Sequence, residues 1–142
     1  MSSLIEKLIS LDKNLVTNLP SKEVEIKRLS NLLGEKYKIK VQAISNDVLG
    51  DIKKRTNKIG KKGKMEVDVI LQTNLVLAHG IIEPNLKDKK LLDHYGVHSS
   101  IELINRIFLP GEQEKISDVI AELSGMGEDD DIEDEIDEIK KQ

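Results

Sequence analysis

The chain has 142 residues, of which 38% are hydrophobic and 34% charged, and it contains no cysteine. The absence of cysteine excludes disulfide bonds and thiolate chemistry, and it fits a protein of the reducing cytoplasm. The formal net charge of −4 is unevenly distributed, because residues 128–142 hold nine acids and two lysines and the remainder therefore carries +3. We predict a single domain over residues 1–127 and a disordered acidic tail over residues 128–142.

The composition disfavours membrane proteins and proteins that bind single-stranded nucleic acid. No apolar run approaches the ~20 residues that a membrane-spanning helix needs. Acid and amide side chains interrupt the apolar positions near the N-terminus, so this segment does not resemble a signal peptide. The three aromatic side chains are Tyr37, Tyr95 and Phe108. We therefore expect an aliphatic core, without the aromatic platforms on which single-stranded bases stack.

The first third of the chain changes from helical to strand periodicity. A capping box begins at Ser3, and leucines at helical spacing predict an amphipathic helix over residues 3–16. Alternating apolar and polar residues then predict strands near residues 23–27 and 36–43. Because turn formers lie between them, we predict a two-stranded antiparallel hairpin over about residues 23–44. Such a hairpin must pack on the helices, since isolated hairpins are only marginally stable.

A helix capped by Ser45 or Asn46 runs into a basic cluster. Its seven members are Lys53, Lys54, Arg55, Lys58, Lys61, Lys62 and Lys64. The glycines in this stretch predict a mobile loop over Gly60–Lys64. One interpretation is a small DNA-associated regulatory protein, which a gel shift at low salt tests because phosphate contacts release counterions. The other interpretation, which we favour, is a solvated loop at a helix C-terminus, where cations are stabilised.

The second half of the chain predicts helices. Residues 66–82 predict the central helix of the core, because apolar side chains cover much of its circumference. Gly96, Pro110 and Gly125 then divide the chain into short helical units, and a second capping box begins at Ser99. Two aliphatic stripes follow at helical spacing: Ile101, Ile104, Ile107 and Phe108, then Ile116, Val119, Ile120 and Leu123. We predict a mainly α fold of the α+β type, a compact multi-helix domain with a small hairpin in its N-terminal half.

The histidines and carboxylates do not form a recognisable catalytic, cofactor-binding or metal-binding set. His94 and His98 are four residues apart, but Gly96 lies between them and a clear third ligand is lacking. Asp93 and His94 have no nucleophile or oxyanion donor nearby in the sequence. We expect His79 to be a hydrogen-bonded core or boundary residue. The sequence therefore indicates a protein that is not an enzyme and that uses no metal or cofactor.

The acidic tail carries three isoleucines at helical spacing, Ile132, Ile136 and Ile139. One interpretation is a solubilising tail, since like charges at helical neighbour spacing repel each other. The other is a partner-binding segment that folds when its isoleucines enter an apolar groove, where it either contacts a client or covers the groove in the client's absence. The aliphatic stripes are also compatible with self-association, although no single heptad seam specifies it.

Several packing and capping motifs occur in an order and spacing that match a known family. They are Ile82-Glu-Pro-Asn-Leu, Lys90-Leu-Leu-Asp-His-Tyr-Gly, Ile107-Phe-Leu-Pro-Gly-Glu and Ile120-Ala-Glu-Leu-Ser-Gly, preceded by Val24-Glu-Ile-Lys-Arg-Leu and Tyr37-Lys-Ile-Lys-Val-Gln-Ala-Ile. Over about residues 20–125 the chain resembles the XkdN-like tail assembly chaperones of prophages and contractile-tailed phages, of the PBSX type.

The resemblance implies a non-enzymatic role in virion assembly, in the cytoplasm of a bacterial host. Such chaperones bind the tape measure protein before the tail tube polymerises around it, keep it soluble, help to recruit tail tube subunits, and are absent from the mature particle. Many are made in two forms by ribosomal frameshifting near the end of the gene. Lys140 and Lys141 are compatible with a slippery run of adenines at that place.

Overall fold

The computed structural model describes residues 3–126, and the predictions for the tail, including those for Ile132, Ile136 and Ile139, lie outside these described residues. The helices in this range are α1 (Leu4–Ile9), α2 (Lys13–Thr17), α3 (Lys27–Leu33), α4 (Asn46–Thr56), α5 (Val69–Gly80), α6 (Lys89–Tyr95), α7 (Ser100–Ile107) and α8 (Pro110–Leu123). The strands are β1 (Ser21–Glu25), β2 (Lys38–Gln42), β3 (Asn57–Ile59), β4 (Met65–Val67) and β5 (Ile81–Glu83). The fold is mainly helical with small antiparallel strands, which confirms the predicted class.

The two predicted strands pair, but they belong to a larger sheet than a two-stranded hairpin over residues 23–44. Strands β1 and β2 run antiparallel with Val24 opposite Ile39, and β5 adds to the other side of β2 in the order β1-β2-β5. The connection between β1 and β2 is helix α3 rather than a turn. Within this helix Ser30 is buried, and its hydroxyl accepts a hydrogen bond from the Tyr37 N–H at 2.8 Å and donates one to the Glu25 carboxylate at 2.9 Å. Such an anchor depends on contacts outside the segment, which a local turn pattern does not contain.

Helix α5 is shorter than the predicted span of residues 66–82. Before it, β4 pairs with β3 to form a two-stranded antiparallel ribbon. Asp68 then caps the helix, its carboxylate accepting a hydrogen bond from the Leu71 N–H at 3.0 Å. After the helix, Ile81 pairs with Val41 in the sheet. Both ends are rich in β-branched residues, which favour a strand once a pairing partner lies alongside.

Helix α5 is nevertheless at the centre of the core, as predicted. It packs against α4, α7 and α8, and Leu77 is fully buried. The contact with α8 is close, since a Cβ on Gly80 would overlap the Ile120 side chain. The other members of the core are aliphatic with one aromatic ring: Ile26, Ile39, Val41, Ile81, Leu86, Val97, Leu103, Ile104, Phe108, Ile116 and Ile120.

The local signals of the second half are confirmed with one refinement. Gly96 ends α6 with a φ of 67°, and Gly125 follows α8 with a φ of 78°. The Ser99 hydroxyl accepts a hydrogen bond from the Glu102 N–H at 3.2 Å. The refinement is that the Glu102 carboxylate accepts from the N–H of His98, one residue before the cap, at 3.2 Å. Local sequence chemistry therefore sets these helix ends.

Candidate partner-binding surfaces

The N-terminal arm, which we define as residues 3–19, consists of two short helices rather than the single helix predicted over residues 3–16. Ser3 caps the first helix, as predicted. The carboxylate of Asp12 accepts a hydrogen bond from the Asn14 N–H at 2.9 Å and starts the second. The polar segment around Asp12 favours a new cap over continuation of the first helix, because aspartate competes for backbone N–H groups.

The aliphatic side chains of the N-terminal arm are exposed. Neither of its helices contains a buried residue. The large apolar side chains, 40–84% exposed, are Leu4, Ile5, Leu8, Ile9, Leu11, Leu15, Val16 and Leu19. The helices have 6 and 5 residues, fewer than the ~12–15 that an isolated helix needs to be stable. Since exposed apolar patches mark interaction sites, the N-terminal arm is a candidate surface for an apolar partner.

Helices α5 and α8 border a first cleft, which we name the Pro110 cleft. Its volume is about 560 Å³. Val69 and Ile70 of α5 form its apolar side, and Pro110, Glu114 and Asp118 of α8 line the other. Val69 and Ile70 are strongly exposed for residues of their size. The cleft thus combines an apolar wall with two carboxylates, an arrangement that suits an apolar or basic partner.

A second cleft, the Met126 cleft, adjoins the first, because Thr73 and Ser117 line both. Its volume is about 310 Å³. The apolar lining comes from three helices and two adjoining segments and consists of Ile44, Leu49, Val76, Ile120, Ala121 and Met126. Among the described lining residues, Lys53 of α4 carries the one formal charge. The two neighbouring clefts therefore differ in the sign of their charge.

A hydrogen bond between distant segments holds one wall of the Met126 cleft. The Ser124 hydroxyl, just after α8, accepts from the Ile44 N–H at 2.9 Å and donates to the Ile120 carbonyl at 2.7 Å. This joins the loop between β2 and α4 to the end of α8. The cleft is therefore preformed by tertiary contacts in the described part of the chain.

An ion pair holds the opposite end of α8. The Arg28 guanidinium donates to both carboxylate oxygens of Glu112, at 2.9 and 3.0 Å, and to the Ile107 carbonyl at 2.6 Å. Glu112 also accepts from the Leu109 N–H at 2.8 Å. The hydrogen bond from Arg28 lowers the pKa of Glu112, partly opposed by burial, and the same bond raises the pKa of Arg28. A bidentate pair of this kind joins α3 to the turn between α7 and α8.

The predicted basic cluster lies on the end of α4 and on the β3–β4 ribbon. Lys53, Lys54 and Arg55 occupy the last turn of α4, as the helix-terminus interpretation requires. The remaining members, Lys58, Lys61, Lys62 and Lys64, lie on the ribbon and are exposed. The predicted loop Gly60–Lys64 is the closed end of this ribbon, where the Gly60 N–H donates to the Lys64 carbonyl at 2.7 Å. The nucleic-acid interpretation of the cluster stays a prediction.

The histidines do not line either cleft, and each has its own separate contacts. His94 and Tyr95 contact edge to face, with ring centroids 4.8 Å apart. His98 uses its backbone N–H to bond Glu102. His79 is exposed, so the prediction of a core or boundary position for it was wrong; it lies on the solvent side of an otherwise apolar helix.

Within residues 3–126, the carboxylates and histidines form no cluster of three that suits a metal ion. Among these same residues, no helix is both long and apolar enough to cross a membrane.

The fold and its surfaces define a mainly helical α+β protein with exposed apolar side chains and open clefts. The family described as phage XkdN-like tail assembly chaperone protein matches residues 5–140, and the chain belongs to this family. The crystal structure of the protein YqbN is similar, with a TM-score of 0.58 and 19% sequence identity over 82% of this chain and 98% of that one. At that identity the likeness concerns the fold alone. No curated protein matches the chain. The family match includes residues 5–19 of the N-terminal arm and most of the acidic tail.

Proposed function

We propose that this protein acts in the host cytoplasm as a non-enzymatic chaperone that binds the tape measure protein, keeps it soluble and helps to recruit tail tube subunits, and that it is absent from the mature particle. Membership of a tail assembly chaperone family supports a tail protein as the partner. The observation that carries the proposal further is the exposed aliphatic N-terminal arm, of which residues 5–19 lie within the matched range.

The proposed client chemistry follows from the arm's side chains. A tape measure protein is a long helical chain with apolar faces, which aggregates if those faces stay in water. In the arm, Leu4 and Leu8 lie four residues apart in α1, so this pair shares one side of that helix. Such a pair matches the apolar positions of a client helix, as in other helix-to-helix recognition modes.

The expected affinity is that of a reversible complex. Burial of one exposed leucine contributes about 1.5–3 kcal/mol. Against this, each ordered side chain costs about 0.5–1.5 kcal/mol, and association costs further translational and rotational freedom. Because the arm helices are short, part of the contact energy also stabilises the helices themselves. Binding of this strength suits a chaperone that must release its client when the tube assembles.

The test is co-expression with the tape measure protein of the same phage or prophage, followed by size-exclusion chromatography. We expect a soluble, co-eluting complex with the unaltered chain. The double variant Leu4→Glu/Leu8→Glu should lose it, because glutamates cannot be buried unpaired against an apolar helix. The matched control is Leu32→Glu/Leu33→Glu, which changes two exposed leucines of α3 and should keep the complex.

The three other outcomes each decide a different point. If the tape measure protein aggregates while the unaltered chain elutes alone, client binding is wrong. If both double variants keep the complex, the client binds and the N-terminal arm is not the site. If both lose it, the contact is not specific to the arm.

A further inference from the structure

We propose that the acidic tail, residues 128–142, is the occupant of the Met126 cleft of its own chain. In this arrangement the isoleucines Ile132, Ile136 and Ile139 enter the cleft, and the tail carboxylates face the basic end of α4. The proposal concerns an intramolecular contact and does not depend on the identity of any client.

The first argument is where the described chain stops. Gly125 has a left-handed backbone, and the Met126 N–H donates to the Ala121 carbonyl at 2.9 Å, so the chain turns back across the end of α8. Met126, the last described residue, itself lines the Met126 cleft and is 53% exposed. The following residues therefore leave from within the cleft rather than from a remote corner of the molecule.

The second argument is reach. Ile132 is the first isoleucine of the tail and lies six residues beyond Met126, a distance that an extended chain covers up to about 20 Å. Helix α8 has 14 residues and is about 21 Å long. A segment that starts at Met126 can thus return along much of α8. The three isoleucines share one side if that segment becomes helical on binding.

The third argument is charge, which separates the two clefts. The tail carries −7. The Pro110 cleft presents the carboxylates of Glu114 and Asp118, which repel the tail. The Met126 cleft presents Lys53. Residues 54–64, which follow Lys53 in the sequence, contain six further basic residues and no acid. The apolar lining takes the isoleucines, and the basic end of α4 takes the carboxylates. Of these two clefts, the Met126 cleft is the one that offers both.

This contact would make the tail a built-in competitor for other helices at the Met126 cleft. It would also depend on ionic strength, because exposed charges interact over a Debye length of about 10 Å at 0.1 M salt. Any partner that enters the cleft must displace the tail, and a basic partner that binds the tail carboxylates would open the cleft. The N-terminal arm remains accessible in both states.

The experiment uses the full chain with one spin label. Because the chain has no cysteine, Gln142→Cys provides a unique attachment point at the end of the tail. Paramagnetic broadening of backbone amide signals then reports where the tail lies. We expect loss of intensity at Leu49, Val76 and Ala121 of the Met126 cleft, and retained intensity at Asn105 and Glu114 of the Pro110 cleft.

Three further samples test the cause of the broadening. Replacing the three isoleucines by serine in the labelled chain should restore intensity at the Met126 cleft, as should high salt. Lys53→Glu should restore it in part, whereas the same charge change at Lys22, on the edge strand β1, should not. A mixture of spin-labelled unenriched chain with unlabelled, isotope-enriched chain should show no broadening if the contact is intramolecular.

Each contrary outcome overturns the proposal. Broadening that is equal at both clefts, or that survives the isoleucine replacement, would show that the tail does not dock through its apolar side. Broadening in the mixed sample would assign the cleft to the tail of a second copy. Since no client is present in any sample, failure here leaves the proposed function standing, and failure of client binding leaves this contact standing.

Discussion

The N-terminal arm and helix α5 carry similar aliphatic sequences but lie in opposite environments. In α5, Leu77 is 0% exposed between helices on several sides, whereas Leu8 in the arm is 65% exposed. Both patterns have helical periodicity, so the pattern identifies which side chains share a side of the helix. The pattern does not show whether other elements of the same chain cover that side. The exposed arm, rather than α5, is therefore the surface to which we assign the proposed client contact.

The largest expected effect is the difference in stability between variants in which one of these two leucines is replaced by alanine. Leu77→Ala should lower the free energy of unfolding by about 2–5 kcal/mol, because a buried leucine leaves a cavity in a packed core. Leu8→Ala should change it by no more than about 0.5 kcal/mol, as for other surface positions. Urea denaturation of both variants measures the difference. Equal losses would mean that the arm packs into the body in solution and is not an open surface.

A smaller effect tests the close packing of α5 on α8. Gly80→Ala should destabilise the protein by about 1–3 kcal/mol, because the new Cβ would overlap the Ile120 side chain and overpacked cores must shift. The matched control is Gly50→Ala in α4, where a Cβ meets nothing within 4 Å.

The Gly50 control should be stabilising by about 0.4–1 kcal/mol, since alanine restricts the unfolded chain without strain in the folded one. Thermal unfolding of both variants provides the measurement. A Gly80→Ala variant as stable as the unaltered chain would show that α8 adjusts easily, and that the clefts along it are not rigid.

The smallest effect concerns the Arg28–Glu112 pair and its pH dependence. Because Arg28 holds the pKa of Glu112 below its ordinary value of 4.5, the pair stabilises the fold above that value and loses its contribution as the pH falls through the lowered pKa. Glu112→Gln should therefore be less stable than the unaltered chain near neutral pH, with a difference that narrows as the pH falls below 4.5 and through the lowered pKa of Glu112.

Thermal unfolding across this pH range gives the measurement, and Glu114→Gln on the same helix is the control. The control should show a smaller gap near neutral pH, since Glu114 lies outside the pair. A Glu112→Gln gap that stays constant with pH would assign the role of Glu112 to its uncharged hydrogen bonds rather than to the ion pair.

Local chemistry could be predicted where one segment contains both partners of an interaction. The caps at Ser45 and Ser99, the left-handed glycines at Gly96 and Gly125, and the pairing of β1 with β2 all follow from neighbouring residues or from a period of two. The family resemblance belongs to the same category, because it rests on the order of such motifs along the chain. Its range was underestimated, since the family match reaches from residue 5 to residue 140.

The misassigned elements are those whose partners lie outside their own segment. Strand β5 pairs with β2, about 40 residues earlier in the chain, and β4 pairs with β3, which shortens α5 at its start. The sequence did not predict which residues line the two clefts. Glu112 lies in the first turn of α8, but its partner Arg28 lies 84 residues earlier, and no local signal indicates that contact.

The sequence by itself determined the class of fold, the helix caps, the aliphatic stripes and the separation of an acidic tail from a basic body, because each of these depends on residue type and spacing within a few turns of chain. Only the tertiary structure decided which stripes are covered, where α5 stops, and which cleft carries positive charge beside the point where Met126 leaves α8. Burial and charge complementarity are relations between segments. They arise only when distant parts of the chain are brought within contact of one another.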